Sequence, residues 1–161
     1  MEECEVKVKK IDSKAEAPSY FYDTDVGFDI KANEDADLLP GEQKSIKTGL
    51  MLEIPKGYVG LIRDRAGIVT KMGIQTCAGT FDPGFRGEIS IVLINHSEES
   101  VYVEKGMRIA QMIILPIAKP KIVLVKNLDS TKRGTNGFGS TGGLKEIKKL
   151  ERAMKGKKGK R

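Results

Sequence analysis

The sequence predicts an all-β fold, a sandwich or barrel assembled from many short strands. Apolar residues alternate with polar ones along much of the chain, as they do in strands that bury one face. Turn sequences interrupt this alternation at short intervals: Pro40-Gly41, Pro55-Lys56-Gly57, Asp82-Pro83-Gly84 and Lys105-Gly106. Because proline restricts φ and glycine accepts positive φ, each of these sequences favours a tight turn. Short strands joined by close turns are typical of β-sandwiches and barrels.

Two kinds of apolar pattern locate the individual strands. Alternation, with one break at Thr48, predicts strands with one buried face within residues 4–8, 46–54, 89–93 and 101–103. Denser apolar runs predict strands buried on both faces at residues 59–62, 109–115 and 122–125.

Helix is predicted in two places only. Residues 65–72 form a short candidate, and residues 144–154 carry apolar side chains three and four positions apart among lysines. Beyond Met154 the lysine- and glycine-rich end is expected to be disordered.

The positive charge belongs to the end of the chain. The 161 residues carry a formal charge of +6, and residues 145–161 hold nine Lys/Arg against two acids, which is +7. The remaining 144 residues hold 19 basic and 20 acidic residues, which is −1. A single domain of this charge needs no nucleic-acid partner, and a weak contact of the tail with a polyanion is the most that the charge suggests.

The cysteines, the histidine and the apolar runs give no indication of a metal site, a secretory signal or a membrane span. Cys4 and Cys77 lie far apart and His96 is the only histidine, so we expect all three to be structural and not metal ligands. The N-terminal residues lack an apolar signal core, and no apolar run approaches the ~20 residues of a membrane span. The expectation is therefore a cytoplasmic protein.

The segment from Arg133 to Gly143 predicts a ligand-dependent element. It holds five glycines in eleven residues, so it should be mobile until a ligand orders it. Its guanidinium, its aromatic ring at Phe138 and its hydroxyls at Ser140 and Thr141 suit a nucleoside polyphosphate. A flexible linker to the tail is the alternative that composition alone favours.

Four further segments carry polar groups in places that a simple core would not choose. Asp82 precedes a Pro-Gly turn and stands between two aromatics, where a carboxylate could deprotonate a water. Asp29 lies among apolar neighbours, where an ionised carboxylate needs a cation or hydrogen-bond donors. Arg65 precedes a small residue and a glycine at a possible helix start, which suits an anion. Arg108 and Gln111 interrupt an apolar strand.

In their order along the chain, these five segments resemble the five motifs of the trimeric deoxyuridine triphosphate nucleotidohydrolases (dUTPases), members of the dUTPase/dCTP deaminase superfamily. The resemblance covers residues 26–142 and rests on DVGFDIKA, DRAG, AGTFDPGFRGEI, GMRIAQMI and RGTNGFGSTG. It implies a distorted jelly roll over residues 1–129, a mobile nucleotide-closing arm over 130–143 and a basic tail over 144–161. It also implies a homotrimer with shared active sites, in which a neighbouring subunit supplies the arm.

The implied reaction is attack of water on the α-phosphorus of dUTP, giving dUMP and pyrophosphate with the help of Mg²⁺. The resemblance implies catalytic roles for Asp82 as general base, for Asp29 as a magnesium ligand acting through water, and for Gln111 on phosphate. It implies that the substrate is bound by the following residues: Arg65, Ala66, Gly67, Gly79, Thr80, Phe81, Phe85, Arg133, Phe138, Gly139, Ser140 and Thr141.

The chain departs from the family pattern at three positions. Ala66 stands where the family has a serine, Met107 where it usually has an acid, and Phe85 where most members have a tyrosine. Because Ala66 lacks the serine hydroxyl, a non-catalytic nucleotide-binding or regulatory protein on the same scaffold is one alternative. A dCTP deaminase is the other alternative, but the glutamate that such enzymes use corresponds here to Val92, which cannot transfer a proton.

Overall fold

This computed structural model describes residues 4–137, which contain ten β-strands and one short helix. The strands are β1 (Lys7–Lys10), β2 (Phe28–Lys31), β3 (Ala36–Leu38), β4 (Gln43–Glu53), β5 (Tyr58–Arg63), β6 (Ile74–Cys77), β7 (Thr80–Phe81), β8 (Glu88–Asn95), β9 (Val101–Val103) and β10 (Arg108–Pro116). The helix α1 spans Ala66–Met72. The all-β prediction and the short helix predicted at residues 65–72 are both confirmed.

The strands form two four-stranded sheets and one two-stranded sheet. The first sheet has the order β1-β4-β8-β6 and the second the order β2-β10-β5-β7, while β3 pairs with β9. All pairs are antiparallel. The chain leaves the first sheet after β6, adds β7 to the second sheet, and returns as β8, so residues 78–87 connect the two sheets.

The core follows the alternation that the sequence shows in β4 and β8. Seven alternating side chains of these two paired strands are at most 2% exposed: Ile46, Thr48, Leu50, Leu52, Ile89, Ile91 and Leu93. From the second sheet, Ile30, Ile109 and Met112 join the same apolar cluster. Removing these side chains from water is the main term that stabilises the sandwich.

Thr48, the polar residue in the β4 alternation, is buried because its hydroxyl has a partner. Its Oγ1 donates to the carbonyl oxygen of Ile89 at 2.5 Å. The next residue, Gly49, has φ of 68°, and its amide donates to Oε1 of Glu88 at 2.8 Å. The β4–β8 register shifts between Lys47 and Met51 at this bulge.

Two predicted strands differ from the structure. The strand predicted within residues 4–8, with one buried face, lies at Lys7–Lys10, and all four of its side chains are exposed. The other predicted strand is wrong. Residues 122–125 form no strand, and their side chains are exposed, with Leu124 at 96%. Within the described residues no neighbouring strand pairs with this run, so the hydrogen bonds and the apolar cover that a buried strand needs are missing. The denser runs at 59–62 and 109–115 do form strands, β5 and β10.

The chain divides into two units, Met1–Lys119 and Pro120–Arg161. All ten strands and α1 lie in the first unit. The predicted helix at 144–154 lies outside the described residues. The domain limits at 129 and 143 stay predictions. Over residues 4–137 no helix is long and apolar enough to cross a membrane.

Candidate active site

An open pocket of about 410 Å³ lies beside β2, β10 and the start of α1. Its lining combines residues of three predicted motifs with a loop that precedes β2: Phe21, Tyr22, Asp25, Val26, Gly27, Asp29, Arg65, Ala66, Gly67 and Gln111. Five of these residues, Asp29, Arg65, Ala66, Gly67 and Gln111, were predicted from the sequence as site residues. The structure therefore brings the first, second and fourth motifs to one place.

Asp29 is the buried charge of this pocket. Its side chain is 10% exposed, and its Oδ1 lies 2.8 Å from Nε of Arg65. Its Oδ2 lies 3.7 Å from a terminal nitrogen of Arg108. A carboxylate this deeply buried is costly unless cations and donors meet it, and the two guanidiniums supply both. The trio carries a net charge of +1, which favours an anionic ligand.

The backbone of Asp29 also closes the loop that forms one pocket wall. Its amide donates to the carbonyl oxygen of Ser19 at 2.9 Å. Within the loop, the amide of Tyr22 donates to Oδ2 of Asp25 at 2.9 Å, and the amide of Asp25 donates to the carbonyl oxygen of Tyr22 at 3.0 Å. These local bonds give the wall a defined turn in front of the buried carboxylate.

Phe21 was missed by sequence reasoning, and Arg108 was noted only as a polar residue on an apolar strand, without a role in the site. The guanidinium carbon of Arg108 lies 5.1 Å from the centroid of the Phe21 ring, a cation–π distance. The Phe21 ring in turn meets the Tyr22 ring edge to face, with centroids 4.6 Å apart. The sequence signal was the run of three consecutive aromatics at residues 20–22, but its partner lies far away on β10.

Asp64 positions the other side of the pocket and was also missed. Its Oδ1 accepts hydrogen bonds from the amide and the hydroxyl of Thr76, both at 2.6 Å. Its carbonyl oxygen accepts from Nε2 of Gln111 at 2.9 Å. The loop that carries Arg65 is thereby fixed to β6, and the Gln111 amide is turned toward the pocket edge.

Ala66 and Gly67 begin α1 and are exposed. Arg65 is the residue before the helix, with extended backbone and no side-chain cap. The first amides of a helix have no partner within the helix, so those near residues 66 and 67 can donate to a ligand. A hydroxyl is missing at this edge of the pocket, as the sequence indicated.

The third motif forms a separate loop, residues 78–87, between β6 and β8. Gly79 touches β5: the amide of Ile62 donates to its carbonyl oxygen at 2.7 Å, and a Cβ at Gly79 would lie 2.7 Å from Cβ of Ile62. β7 then places Thr80 exposed and Phe81 half-buried. The tight turn begins at Asp82, whose carbonyl oxygen accepts from the amide of Phe85 at 3.0 Å.

Two aromatic rings and a carboxylate meet at this turn. The ring centroids of Phe81 and Phe85 are 6.0 Å apart, and Phe85 is 42% exposed. Asp82 is exposed. Within residues 4–137, the lining of the 410 Å³ pocket includes none of the residues of this loop. One chain thus presents predicted site residues in two separate places, a charged pocket and a turn with a carboxylate and two rings.

The fifth motif is described in part. Arg133 is exposed, and its Nε donates to the carbonyl oxygen of Asn136 at 3.1 Å. The other predicted arm residues, Phe138, Gly139, Ser140 and Thr141, lie outside the described residues. Their roles stay predictions.

The comparison with known families decides the assignment. A family model described as dUTPase matches residues 13–142, which is most of the chain. The chain belongs to the dUTPase family. Among the curated dUTPases, the deoxyuridine 5'-triphosphate nucleotidohydrolase of Clostridium tetani (strain Massachusetts / E88) is 45% identical over 144 residues, which are 88% of this chain and 99% of the relative. That of Crocosphaera subtropica (strain ATCC 51142 / BH68) is 43% identical over 140 residues, 86% of this chain and 99% of the relative.

Solved dUTPase structures share the fold. Staphylococcus bacteriophage 80alpha dUTPase, solved with dUpNHpp, superimposes with a TM-score of 0.81 at 32% identity over 86% of this chain and 98% of that chain. A mutant dUTPase of phage phi11 of S. aureus, whose structure describes the coordination of a structural Mg(II) ion, gives a TM-score of 0.72 at 27% identity over 77% and 98%. The expected dUTPase jelly roll is confirmed.

Two glycines of the 78–87 loop provide a first prediction. A Cβ at Gly79 would lie 2.7 Å from Cβ and 3.1 Å from the carbonyl oxygen of Ile62, whereas a Cβ at Gly84 meets nothing within 4 Å. We expect Gly79→Ala to lower the free energy of unfolding by about 1–3 kcal/mol, because β5 must shift. Gly84→Ala should change it by less than about 0.5 kcal/mol. Urea denaturation of both variants measures this, and equal losses would contradict the close approach at Gly79.

Proposed function

We propose that this protein hydrolyses dUTP to dUMP and pyrophosphate, which lowers dUTP and supplies dUMP for dTMP synthesis. The observation that carries the proposal is the pocket where Asp29, Arg65 and Gln111 meet in a chain of the dUTPase family. Its relatives bear the name of this activity, and a structural neighbour was solved with dUpNHpp, a dUTP analogue.

The charged pocket would hold the triphosphate. Arg65 presents a guanidinium at its rim and is 32% exposed, so it can exchange one carboxylate contact for phosphate oxygens. The amide of Gln111 and the first backbone amides of α1 add neutral donors. Together these groups would fix the phosphate chain for in-line attack and would stabilise the charge that develops on its oxygens.

Asp82 would act as general base on the attacking water. As the carboxylate takes a proton, the water oxygen forms a bond to the α-phosphorus. The bond from that phosphorus to the bridging oxygen breaks, and pyrophosphate leaves. Asp82 is suited to this role because the tight turn exposes its side chain next to Phe85, which would pack on the deoxyribose. Backbone groups of Gly79, Thr80 and Phe81 would read the uracil.

The residues of the charged pocket fit Mg²⁺ held largely by phosphate and water. Within residues 4–137 no three His, Cys, Asp or Glu side chains cluster as a metal cage. Both oxygens of Asp29 already face guanidiniums, at 2.8 and 3.7 Å, so a metal would be reached through water. Magnesium commonly keeps several waters and binds with substrate phosphates. When bound, it would neutralise triphosphate charge.

A homotrimer with shared sites explains why one chain presents two half-sites, the charged pocket and the 78–87 loop. The two would be completed by different subunits, with the 130–143 arm supplied by a neighbour. The exposed apolar run Ile122-Val123-Leu124-Val125 supports assembly. Consecutive apolar side chains that are exposed in one chain commonly mark a surface that contacts another protein. The arm would order over bound nucleotide and exclude water.

We also propose that the protein is cytoplasmic and that its basic tail has no catalytic role. The tail, with its charge of +7, would serve solubility or weak polyanion contact and not catalysis. No partner other than dUTP and further copies of this chain is required.

Incubation with single nucleotides tests the reaction. The purified protein with Mg²⁺ is given dUTP, dCTP, dTTP or UTP, and the products are separated. Pyrophosphate from dUTP alone is the expected result. Conversion of dCTP to dUTP would mean that the deaminase alternative is right. Tight binding of dUTP without any product would support the non-catalytic alternative that Ala66 keeps open.

Asp82→Asn should abolish turnover while leaving nucleotide binding largely intact. The amide is nearly isosteric with the carboxylate but cannot take a proton from water. Steady-state kinetics with dUTP and calorimetric titration with dUpNHpp measure the two effects separately. Turnover near the wild-type rate would remove Asp82 from the mechanism.

Mixing two inactive variants should restore activity if sites are shared. One variant is Asp82→Asn, and the other is a chain truncated after Asp129, which keeps the strands and lacks the arm. In mixed trimers some sites combine an intact Asp82 with an intact arm. Unfolding and refolding the two variants together should give activity that neither shows alone, with separately refolded variants as the control. Mixed trimers without activity would mean that Asp82 and the arm of one site come from the same chain.

Ala66→Ser should raise kcat several-fold and change KM less. The serine hydroxyl would add a donor to the triphosphate near the start of α1, where alanine provides none, and a donor that acts on developing charge raises kcat. Steady-state kinetics of the variant and the wild type measure the gain. An unchanged or lower kcat would mean that the site is built around alanine.

A further inference from the structure

The turn that carries Asp82 and Phe85 is held by the side chain of Arg86, which contacts its backbone. A terminal nitrogen of Arg86 donates to the carbonyl oxygen of Pro83 at 2.7 Å and to that of Phe85 at 2.8 Å. Its other terminal nitrogen lies 3.5 Å from Oε2 of Glu53. The guanidinium therefore bridges both sides of the turn and reaches the end of β4.

We propose that Arg86 is a positioning residue for dUTP hydrolysis: its guanidinium fixes the turn so that the Asp82 carboxylate and the Phe85 ring keep one orientation. This inference rests on the proposed function, since it assigns Arg86 to the half-site that bears the general base.

The surroundings of the turn show why it needs a tether. Asp82, Gly84 and Phe85 are exposed, so little apolar packing holds them. One backbone bond, from the amide of Phe85 to the carbonyl oxygen of Asp82, closes the turn at 3.0 Å. Hydrogen bonds from a charged donor to neutral carbonyls are stronger than those between neutral groups, so Arg86 supplies the firmest contacts of this segment.

The anchor of Arg86 is itself tied to the sheet. Glu53 faces Lys7 across the β1–β4 ladder, and Nζ of Lys7 donates to its Oε1 at 3.0 Å. The hydrogen bond from Lys7, together with the charges of Lys7 and Arg86, holds the pKa of Glu53 below its ordinary value. The carboxylate therefore stays ionised at neutral pH and available to the guanidinium. Because this pair is exposed, it orients Arg86 more than it stabilises the fold.

The Phe85 ring is placed by the same segment. A Cβ at Gly87 would lie 2.5 Å from Cζ of Phe85, so the ring lies directly over a position without a side chain. The centroid of the Phe81 ring lies 6.0 Å from that of the Phe85 ring. If the hydrogen bond from Arg86 to the carbonyl oxygen of Phe85 were lost, the backbone that orients this ring could move.

The test compares Arg86→Ala and Arg86→Lys in the full chain. Lys9→Ala is the matched control, because Lys9 is an exposed cation on β1 with no ion pair within residues 4–137. A misplaced catalytic group can cost a large part of the rate, so Arg86→Ala should lower kcat about ten- to hundred-fold. Affinity for dUpNHpp should fall less. Lysine keeps the charge but cannot span two carbonyls and Glu53, so Arg86→Lys should recover little. Lys9→Ala should match the wild type.

Two results would overturn the proposal. Wild-type kcat in Arg86→Ala would remove the residue from positioning, and full recovery in Arg86→Lys would mean that positive charge suffices. If Arg86→Ala fails to fold, Glu53→Gln decides: kcat should fall about three-fold because the anchor is lost, and an unchanged kcat refutes the tether.

Hydrogen exchange separates this inference from the proposed function. Amide exchange over residues 79–87 should be faster in Arg86→Ala than in Lys9→Ala, whether or not the protein hydrolyses dUTP. An inactive wild type with this difference refutes the proposed function alone. An active wild type with equal exchange in both variants refutes the positioning role alone.

Discussion

The charged pocket depends on one buried carboxylate. Asp29 joins three parts of the chain at once: its amide closes the loop after Ser19, and its oxygens face Arg65 before α1 and Arg108 on β10. Loss of the carboxylate would leave two partly exposed guanidiniums without their counter-charge and would remove the contacts that join these three parts. In the proposed function Arg65 would exchange its contact with Asp29 for phosphate oxygens, so stability and ligand binding would use the same groups.

The charged pocket and the turn at Asp82 differ in how firmly the fold holds their side chains. Asp29 and Gln111 lie on paired strands of the second sheet, and the loop at Arg65 is bound to β6 through Asp64. Asp82 and Phe85 lie on an exposed turn that has few contacts of its own. A water-activating group needs defined placement as much as a phosphate ligand does. Side chains near the turn, above all Arg86, would provide that placement where the sheet does not.

Much of the fold could be predicted because strand burial has a simple period. The alternation in β4 and β8, the short α1 and the turn at Asp82 all follow from local patterns of residue type. The run at 122–125 shows the limit: four apolar residues in a row indicate a buried segment, but not which surface covers it, and within the described chain none does. Of the site, Asp29, Arg65 and Gln111 stood out as polar residues in unusual places, and the resemblance supplied their roles. The contacts of Phe21, Asp64 and Arg108 were not predicted, since they join residues distant in sequence.

The edge of the first sheet has a consequence for how the protein behaves in concentrated solution. Among the described residues β1 is the outermost strand of this sheet. It is four residues long, and three of the four are lysines with exposed side chains. An open strand edge can accept a foreign strand, and a row of like charges on it makes such sheet extension unfavourable. Every copy brings the same lysines, so two such edges repel each other. The lysines of β1 thus disfavour sheet extension between copies of the chain in concentrated solution.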